Sequence, residues 1–498
     1  MPRDAAFDIR ITLRCDVLLT MGMLFLLSSG FLRQLAAQPT TDARTGAIQW
    51  EQAFEQVIEK SSPAIVSLQV VSARAGAEEG SRTPWSQTDL FGSGVLIRGE
   101  EDSRFVLTNA HLVQSLLVPS GKEGGRILAV WSDRQRVPVS LQAADPRSDL
   151  AILRLDLSGT KLKASELPGL NVGQAEGLKR GRMVVCLGNP YAIAWDGTCS
   201  ASFGMVSNLF RRPFLGSSRR PLDDGSRLHQ LGLLMQLDTR LQLGSSGGAV
   251  LNLDGEWIGL TTPLAVLPGT EKSAGYAIPF TKGVRRVIDS LVRGYEVEYG
   301  FLGIAPQDIP LAELGTVPEK ITQPAAPYIS HVAGGGPADL AGIKPGDVVL
   351  QVGETPVLSG DDLVREIGLL GPDVEVSLQV WRPRTGITEC VAKLGKWPVY
   401  DDQQLKISAD RYPAWRGIKV DYPTARRRYL PTDPLEKYPH AVVVLAAPED
   451  SGLVAGDYLA QVEQQLVKTP REFHKAVENK LGDVKLIKRD GVTLTVRP

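Results

Sequence analysis

Ser246 lies in Leu243-Gly244-Ser245-Ser246-Gly247-Gly248-Ala249, framed by the apolar runs Leu231–Leu237 and Val250–Leu253. Glycines on both sides let the backbone turn tightly and expose the serine side chain. The same turn can aim the amides of Gly244 and Ser246, with that of Ser245 beside them, at a developing oxyanion. A flexible Gly/Ser linker has the same composition, but a linker is not framed by two strand-like runs. His111 ends the strand-like Phe105-Val106-Leu107-Thr108-Asn109-Ala110. The other four histidines lack that setting: His229 falls in a charged loop, His331 and His440 begin strands, and His474 sits on a helical surface. Asp149 ends Asp145-Pro146-Arg147-Ser148-Asp149 at the mouth of an apolar strand, where a carboxylate can accept an imidazole Nδ1 hydrogen and fix the reactive tautomer. Taken singly, the histidine reads as structural and the aspartate as a surface turn acid. Taken together, they supply nucleophile, base and orienting acid, the set required for acyl transfer from an amide to water.

Holding three such residues in register requires a rigid frame. Ala64–Val71, Gly94–Ile97, Phe105–Thr108, Ile127–Val130, Ala151–Leu155 and Met183–Leu187 read as strands separated by turn chemistry. Val250–Leu253 and Glu256–Thr261 form a hairpin across Asp254-Gly255. Many short strands with little helix between them predict a closed or sandwiched all-β domain. It ends where Thr281–Val292 turns helical. In front of it, Trp50, Phe54, Val57 and Ile58 predict a short amphipathic helix ending before Pro63.

Two further stretches, 299–398 and 412–498, share an internal likeness. Gly336-Pro337-Ala338-Asp339-Leu340-Ala341-Gly342 in the first corresponds to Ala447-Pro448-Glu449-Asp450-Ser451-Gly452 in the second. In each a proline opens a short helix, a glycine closes it, and Gly-Asp leads into an apolar strand, Val348–Val352 or Tyr458–Val462.

At this point the chain resembles a known family. The order His, Asp, Ser is that of chymotrypsin-like proteases. Thr108-Asn109-Ala110-His111, Asp145 through Leu153, Gly188-Asn189-Pro190, Gly244 through Ala249 and Gly275-Tyr276-Ala277-Ile278-Pro279 together resemble the Deg/HtrA serine proteases from about residue 50 to 498. The resemblance implies a mainly β fold: a chymotrypsin-like double barrel over 49–295 with its active site in the cleft, then PDZ-like domains at 299–398 and 412–498. It implies an ATP-independent, metal-free endopeptidase acting on misfolded or damaged exported proteins, without cofactor, and commonly built from trimers. It also implies that Gly300, Phe301, Leu302, Gly303 and Ile304 hold a peptide's C-terminal carboxylate while the peptide adds a strand to the sheet edge. Trp415-Arg416-Gly417-Ile418 is a looser match, leaving peptide binding and a structural or oligomer-bridging role both open for the second module. The rival from another class is a chaperone or scaffold that keeps the protease fold with little turnover.

Three departures stand out. Ser245 replaces an asparagine usual in the family, and Thr239 and Arg240 replace small residues near the primary specificity pocket. Pointing in, Arg240 would favour acidic side chains or obstruct the pocket; pointing out, it is a solvated charge, the favoured reading because burying an unpaired guanidinium is expensive. The charge-rich segment Phe210–Gln230 replaces a shorter loop, and either gates the cleft or simply faces solvent.

The remaining composition bounds the setting. With 55 Lys and Arg against 56 Asp and Glu in 498 residues, there is no basic footprint for nucleic acid. Arg10 and Arg14 precede an apolar run, Val17–Leu32, followed by Ala36 and Ala37. Residues 1–37 therefore read as an export signal cleaved near Ala37 or as an uncleaved membrane anchor, with 38–48 as a polar tether. Export to the periplasm or cell envelope follows from either. Cys15 would leave with a cleaved signal, and Cys186, Cys199 and Cys390 are too few for a disulfide framework. Cys186 and Cys199 could pair across a hairpin, but spacing does not give connectivity, and small buried thiols are the favoured reading.

Overall fold

Strand formation follows the burial pattern residue by residue. In Leu150–Leu155 every side chain is buried except Arg154, as a strand covered on both faces requires. The computed structural model describes residues 43–71, 88–100, 103–117, 126–189, 197–211, 233–242, 244–262, 275–314, 317–399, 407–426, 428 and 437–498. The export segment, Pro190, His229 and nearly all of the Phe210–Gln230 loop lie outside the described residues. No helix among the described residues is long and apolar enough to cross a membrane.

Two closed six-stranded barrels carry the sequence-predicted strands. The first is formed by β1 (Ile65–Val71), β2 (Thr88–Arg98), β3 (Arg104–Thr108), β4 (Arg126–Val130), β5 (Arg136–Asp145) and β6 (Leu150–Leu155), in the order β1-β2-β3-β6-β5-β4. The second is formed by β7 (Met183–Gly188), β8 (Ser200–Arg211), β9 (Leu234–Leu237), β10 (Ala249–Leu251), β11 (Trp257–Thr261) and β12 (Gly275–Pro279), in the order β10-β11-β12-β9-β8-β7. Val66, Leu96, Val106, Ala129 and Leu153 fill the first core, and Val184, Val206, Met235, Val250 and Ile258 the second. Burying each Val, Leu, Ile or Met side chain among them contributes about 1.5–3 kcal/mol. Closure leaves neither barrel an open edge.

Before the barrels, helix α1 spans Ala43–Ser61. It stops ahead of Pro63 as expected but begins earlier, so residues 43–48 of the expected tether are helical. Its second helix is α2 (Ala110–Leu117). After the barrels, α3 (Lys282–Val292) is capped by the Thr281 hydroxyl and buries Val284, Val287, Ile288 and Leu291.

The C-terminal modules are two sheets of one design. The first consists of β13 (Gly300–Phe301), β14 (Ile304–Pro310), β15 (Ala325–Val332), β16 (Val348–Val352), β17 (Thr355–Pro356), β18 (Glu375–Arg382), β19 (Gly386–Lys393) and β20 (Gly395–Lys396), with helices α4 (Pro337–Leu340) and α5 (Gly360–Leu370). Its main sheet runs β14-β15-β16-β18-β19, and β13 pairs with β20. The second has β21 (Lys419–Asp421), β22 (Val442–Ala446), β23 (Tyr458–Val462), β24 (Gln465–Leu466), β25 (Val484–Lys488) and β26 (Thr493–Val496), with α6 (Pro470–Val477). Its order, β21-β22-β23-β25-β26, repeats that of the first. His331 lies next to the end of β15 rather than at its start, because pairing with β14 carries the strand back to Ala325.

A buried ionic cluster ties the segment after α3 to both modules. Lys396 Nζ contacts Glu296 at 3.1 Å, Asp421 at 3.0 Å and Glu298 at 3.3 Å. Arg426 reaches Glu296 and Asp421, and Arg411 reaches Glu298. Burial alone would lower the Lys396 pKa, yet the three carboxylates hold it above its ordinary value. Arg286 of α3 adds a second tie, donating to the Leu369 carbonyl at the end of α5 and to the Glu298 carbonyl. Removing one partner from such a cluster leaves the others charged and unpaired. Lys396→Ala is therefore expected to cost about 3 kcal/mol in urea unfolding; an unchanged midpoint would mean that the cluster contributes nothing net.

Candidate active site

His111 and Asp149 are brought together by the pairing of β3 with β6, which sets Thr108 opposite Ala151. The chain leaves β3 at Asn109 and enters α2, so His111 stands in its first turn. Asp149 is the last residue of the turn before β6, at φ 57°, a left-handed conformation that aspartate tolerates better than most residues. Its main-chain carbonyl accepts from the Ala110 amide and the Asn109 side chain, at 3.1 and 3.2 Å. Its fully buried carboxylate accepts from the His111 amide at 3.0 Å, from His111 Nδ1 at 2.9 Å and from the Thr262 hydroxyl at 3.3 Å. His111 Nε2 faces Ser246 Oγ at 3.2 Å. With Nδ1 protonated toward Asp149, Nε2 is left as the acceptor of the serine hydrogen. Burial works against the charged imidazole, but the Asp149 charge and hydrogen bond outweigh it and raise the His111 pKa above its ordinary 6.5.

The turn before β10 holds Ser246, with Gly244 and Gly247 at φ 92° and 80°. Glycine is required at 247, where a Cβ would run into the Ser93 carbonyl and the Thr108 hydroxyl. Among the described residues the amides of Gly244 and Ser246 have no acceptor, as an oxyanion site needs. The Ser245 amide was expected beside them, and here the expectation is corrected: it donates to the Gln242 carbonyl at 3.0 Å, closing the turn.

Arg240 is exposed and lines a cavity of about 200 Å³ together with Gly188, Ser202, Gln242 and Ser245. Cys186 and Cys199 are both free. No cluster of potential metal ligands occurs among the described residues.

Sequence reasoning missed the groups that support this arrangement. Thr262 and Asn109 brace Asp149; Asn109 stands in the motif beside His111 without its contact being legible, and no signal in the sequence distinguishes Thr262. Asp145 accepts from Arg147 at 2.9 Å and from the Tyr299 hydroxyl at 2.6 Å, and Arg147 donates to the Val297 carbonyl at 2.7 Å. The turn holding Asp149 is thereby tied to the residue preceding β13. In the loop after it, the Leu302 and Gly303 carbonyls are taken by the amides of Ala338 and Ala333. Among the described residues the amides of Leu302 and Gly303 have no acceptor. The corresponding turn of the second module differs: Trp415 and Ile418 bond each other's main chain at 3.0 and 2.8 Å. Arg416 at φ 47° caps carbonyls of Lys480, Gly482 and Val496.

Against known families, residues 92–260 match the trypsin-like peptidase domain and residues 300–389 the PDZ domain. Fold and site thus define a trypsin-like serine endopeptidase with PDZ architecture behind it. The chain is 25% identical over 467 residues to a probable periplasmic serine endoprotease DegP-like from Hahella chejuensis, covering 87% of this chain and 90% of that one. It is 29% identical over 301 residues to a protein of the same description from Chlamydia pneumoniae, covering 60% of this chain and 54% of that one. The particular family it resembles, along most of its length, is Deg/HtrA. Among solved structures, the HtrA-type protease AlgW with tripeptide aligns at a TM-score of 0.49 and 23% identity, over 70% of this chain and 99% of that one.

Burial pushes the Cys186 thiol up to about 12, with Asp238 adding to the effect. Iodoacetamide at pH 8 should leave Cys186 unmodified in the native protein, and should alkylate Cys186 and Cys199 in denaturant without reductant. Mass spectrometry of the two digests checks both expectations.

Proposed function

We propose that Ser246 is the nucleophile of peptide hydrolysis, with His111 as base and acid and Asp149 as its orienting partner. The observation that carries this reading is the unbroken line from Asp149 to His111 Nδ1, at 2.9 Å, and from His111 Nε2 to Ser246 Oγ, at 3.2 Å. Ser246 Oγ bonds to the scissile carbonyl carbon and its proton passes to Nε2. The carbonyl oxygen becomes an oxyanion held by the amides of Gly244 and Ser246. As the intermediate collapses, the C–N bond breaks and His111 returns the proton to the leaving amine. Water then attacks the acyl ester, gives a proton to His111, and Ser246 Oγ recovers it on release of the acid. Asp149 stays ionised throughout and stabilises the imidazolium.

The substrates under this reading are unfolded or damaged exported proteins, consistent with the periplasmic description of the relatives. The free amides of Leu302 and Gly303, within Gly300–Ile304, support capture of a peptide C-terminus by the first module. In the second, the closed Trp415–Ile418 turn favours a structural role. A trimer-based assembly and an N-terminal membrane tether belong to the same proposal.

Casein degradation by the purified chain, with loss in Ser246→Ala, is the expected result; a fluorophosphonate should label the parent alone. Binding of unfolded casein with neither cleavage nor labelling would instead favour a chaperone or scaffold. The pH dependence has a definite sign. His111 must be neutral to act as base and its pKa is raised, so kcat/KM should rise with pH through an apparent pKa above 6.5. Asp149→Asn removes the charge that raises it, and should move that limb to lower pH while kcat falls by about 10⁴.

A further inference from the structure

The turn that presents Ser246 carries two pins whose chemistry the triad does not use. A trans peptide group is planar, with its C=O and N–H pointing in opposite directions. Whatever holds the carbonyl of one residue therefore decides where the amide of the next one points.

The Ser245 carbonyl belongs to the same peptide group as the Ser246 amide. It accepts from the Thr261 hydroxyl at 2.5 Å and from the Gly248 amide at 3.1 Å. The preceding carbonyl, that of Gly244, accepts from the Ser93 hydroxyl at 2.8 Å, and the amide in that group goes to Gln242. Neither hydroxyl can easily be redirected. Ser93 Oγ also accepts the Asn189 amide at 2.8 Å, while its own amide donates to the Ser246 carbonyl at 2.7 Å. Thr261 Oγ1 accepts the Gly248 amide at 2.8 Å, and its main chain bonds Gly247 and Gly248 at 2.9 Å each. Ser93 is 0% exposed and Thr261 1%, so water cannot readily replace either contact.

The pins come from different barrels, Ser93 from β2 and Thr261 from β11. Were the Ser245–Ser246 peptide to rotate, a carbonyl dipole would face the oxyanion where a donor belongs. We propose that Thr261 is a positioning residue of the oxyanion site: its hydroxyl holds the Ser245 carbonyl away from substrate and so keeps the Ser246 amide aimed at it, while Ser93, on the Gly244 carbonyl, braces the neighbouring peptide group whose amide goes to Gln242. This rests on the reading of Ser246 as the nucleophile and of its amide as an oxyanion donor.

The test compares the whole parent chain with Thr261→Val, Thr261→Ser and Ser93→Ala. Fluorophosphonate labelling, taken to completion, counts competent nucleophiles; kcat and KM are measured on a peptide substrate, and a peptide aldehyde serves as an inhibitor whose adduct places an oxygen in the oxyanion site. Loss of a donor itself costs about 10²–10³ in rate, so loss of its pin should cost about tenfold to a hundredfold. The expected result for Thr261→Val is full labelling, kcat lower by that factor, KM within twofold, and weaker aldehyde inhibition in proportion. Thr261→Ser, which keeps the hydroxyl, should restore kcat, and Ser93→Ala should fall in the same direction. If the parent is not labelled, the nucleophile reading fails and the pins fall with it. If the parent is labelled and Thr261→Val keeps its kcat within twofold, the pin is overturned while the nucleophile stands. Equal losses in Thr261→Val and Thr261→Ser, with lowered thermal midpoints, overturn it in favour of packing. Should Thr261→Val not fold, Thr261→Ala decides by the same readings.

Discussion

One backbone hydrogen bond, from the Ser93 amide to the Ser246 carbonyl at 2.7 Å, joins the two barrels at the proposed nucleophile. His111 and Asp149 stand on the first barrel and Ser246 on the second, so the spacing between imidazole and hydroxyl is set by how the barrels are fastened together. Each barrel is rigid because it closes on itself and fills its interior with branched side chains. Rigid halves joined at the reaction centre let a 3.2 Å contact survive between residues 135 positions apart. The close approach leaves no room for a side chain at position 247, which explains the glycine there.

The buried carboxylate of Asp149 is the costliest group in this arrangement. An ionised acid without exposure needs hydrogen bonds to each oxygen, and it has donors in the His111 amide, the His111 ring and the Thr262 hydroxyl. The left-handed backbone at Asp149 is held in turn by Ala110 and Asn109 acting on its carbonyl. Asp145, Arg147 and Tyr299 extend the same bracing to the first residues of the PDZ module. A buried ionic network is a weak source of net stability, but it resists misregistered packing because each misplaced charge would be left unpaired. The cluster around Lys396 fits that role between modules.

The two C-terminal modules share strand order, helix placement and the proline-to-glycine unit, yet their loops have diverged. In the first, carbonyls are drawn inward and amides are left outward; in the second, a reciprocal pair of bonds closes the turn on itself. Sequence likeness reached the frame, and the difference lay in which way a few peptide groups face.

The sequence alone determined the strands and singled out His111, Asp149 and Ser246 as the candidate triad. Val348–Val352 and Tyr458–Val462 lie where the apolar runs put them, and the helix expected over Thr281–Val292 begins one residue later, because its threonine acts as cap. Local signals of this kind depend on neighbours along the chain, which a sequence displays directly. The start of α1 was missed because Ala43–Ile48, with Arg44, Thr45 and Gly46, resembles a tether, while Ala43, Arg44 and Ala47 also favour a helix. Only the tertiary structure decided that the Ser245 amide serves the turn rather than the oxyanion, and that Ser93, Thr261, Thr262 and Tyr299 support the site. Their partners lie between 13 and 154 positions away, and serine or threonine hydroxyls carry no periodicity that marks them. The chain's local code specifies which groups are available, and the direction each one faces is fixed only when distant segments compete for the same donors and acceptors.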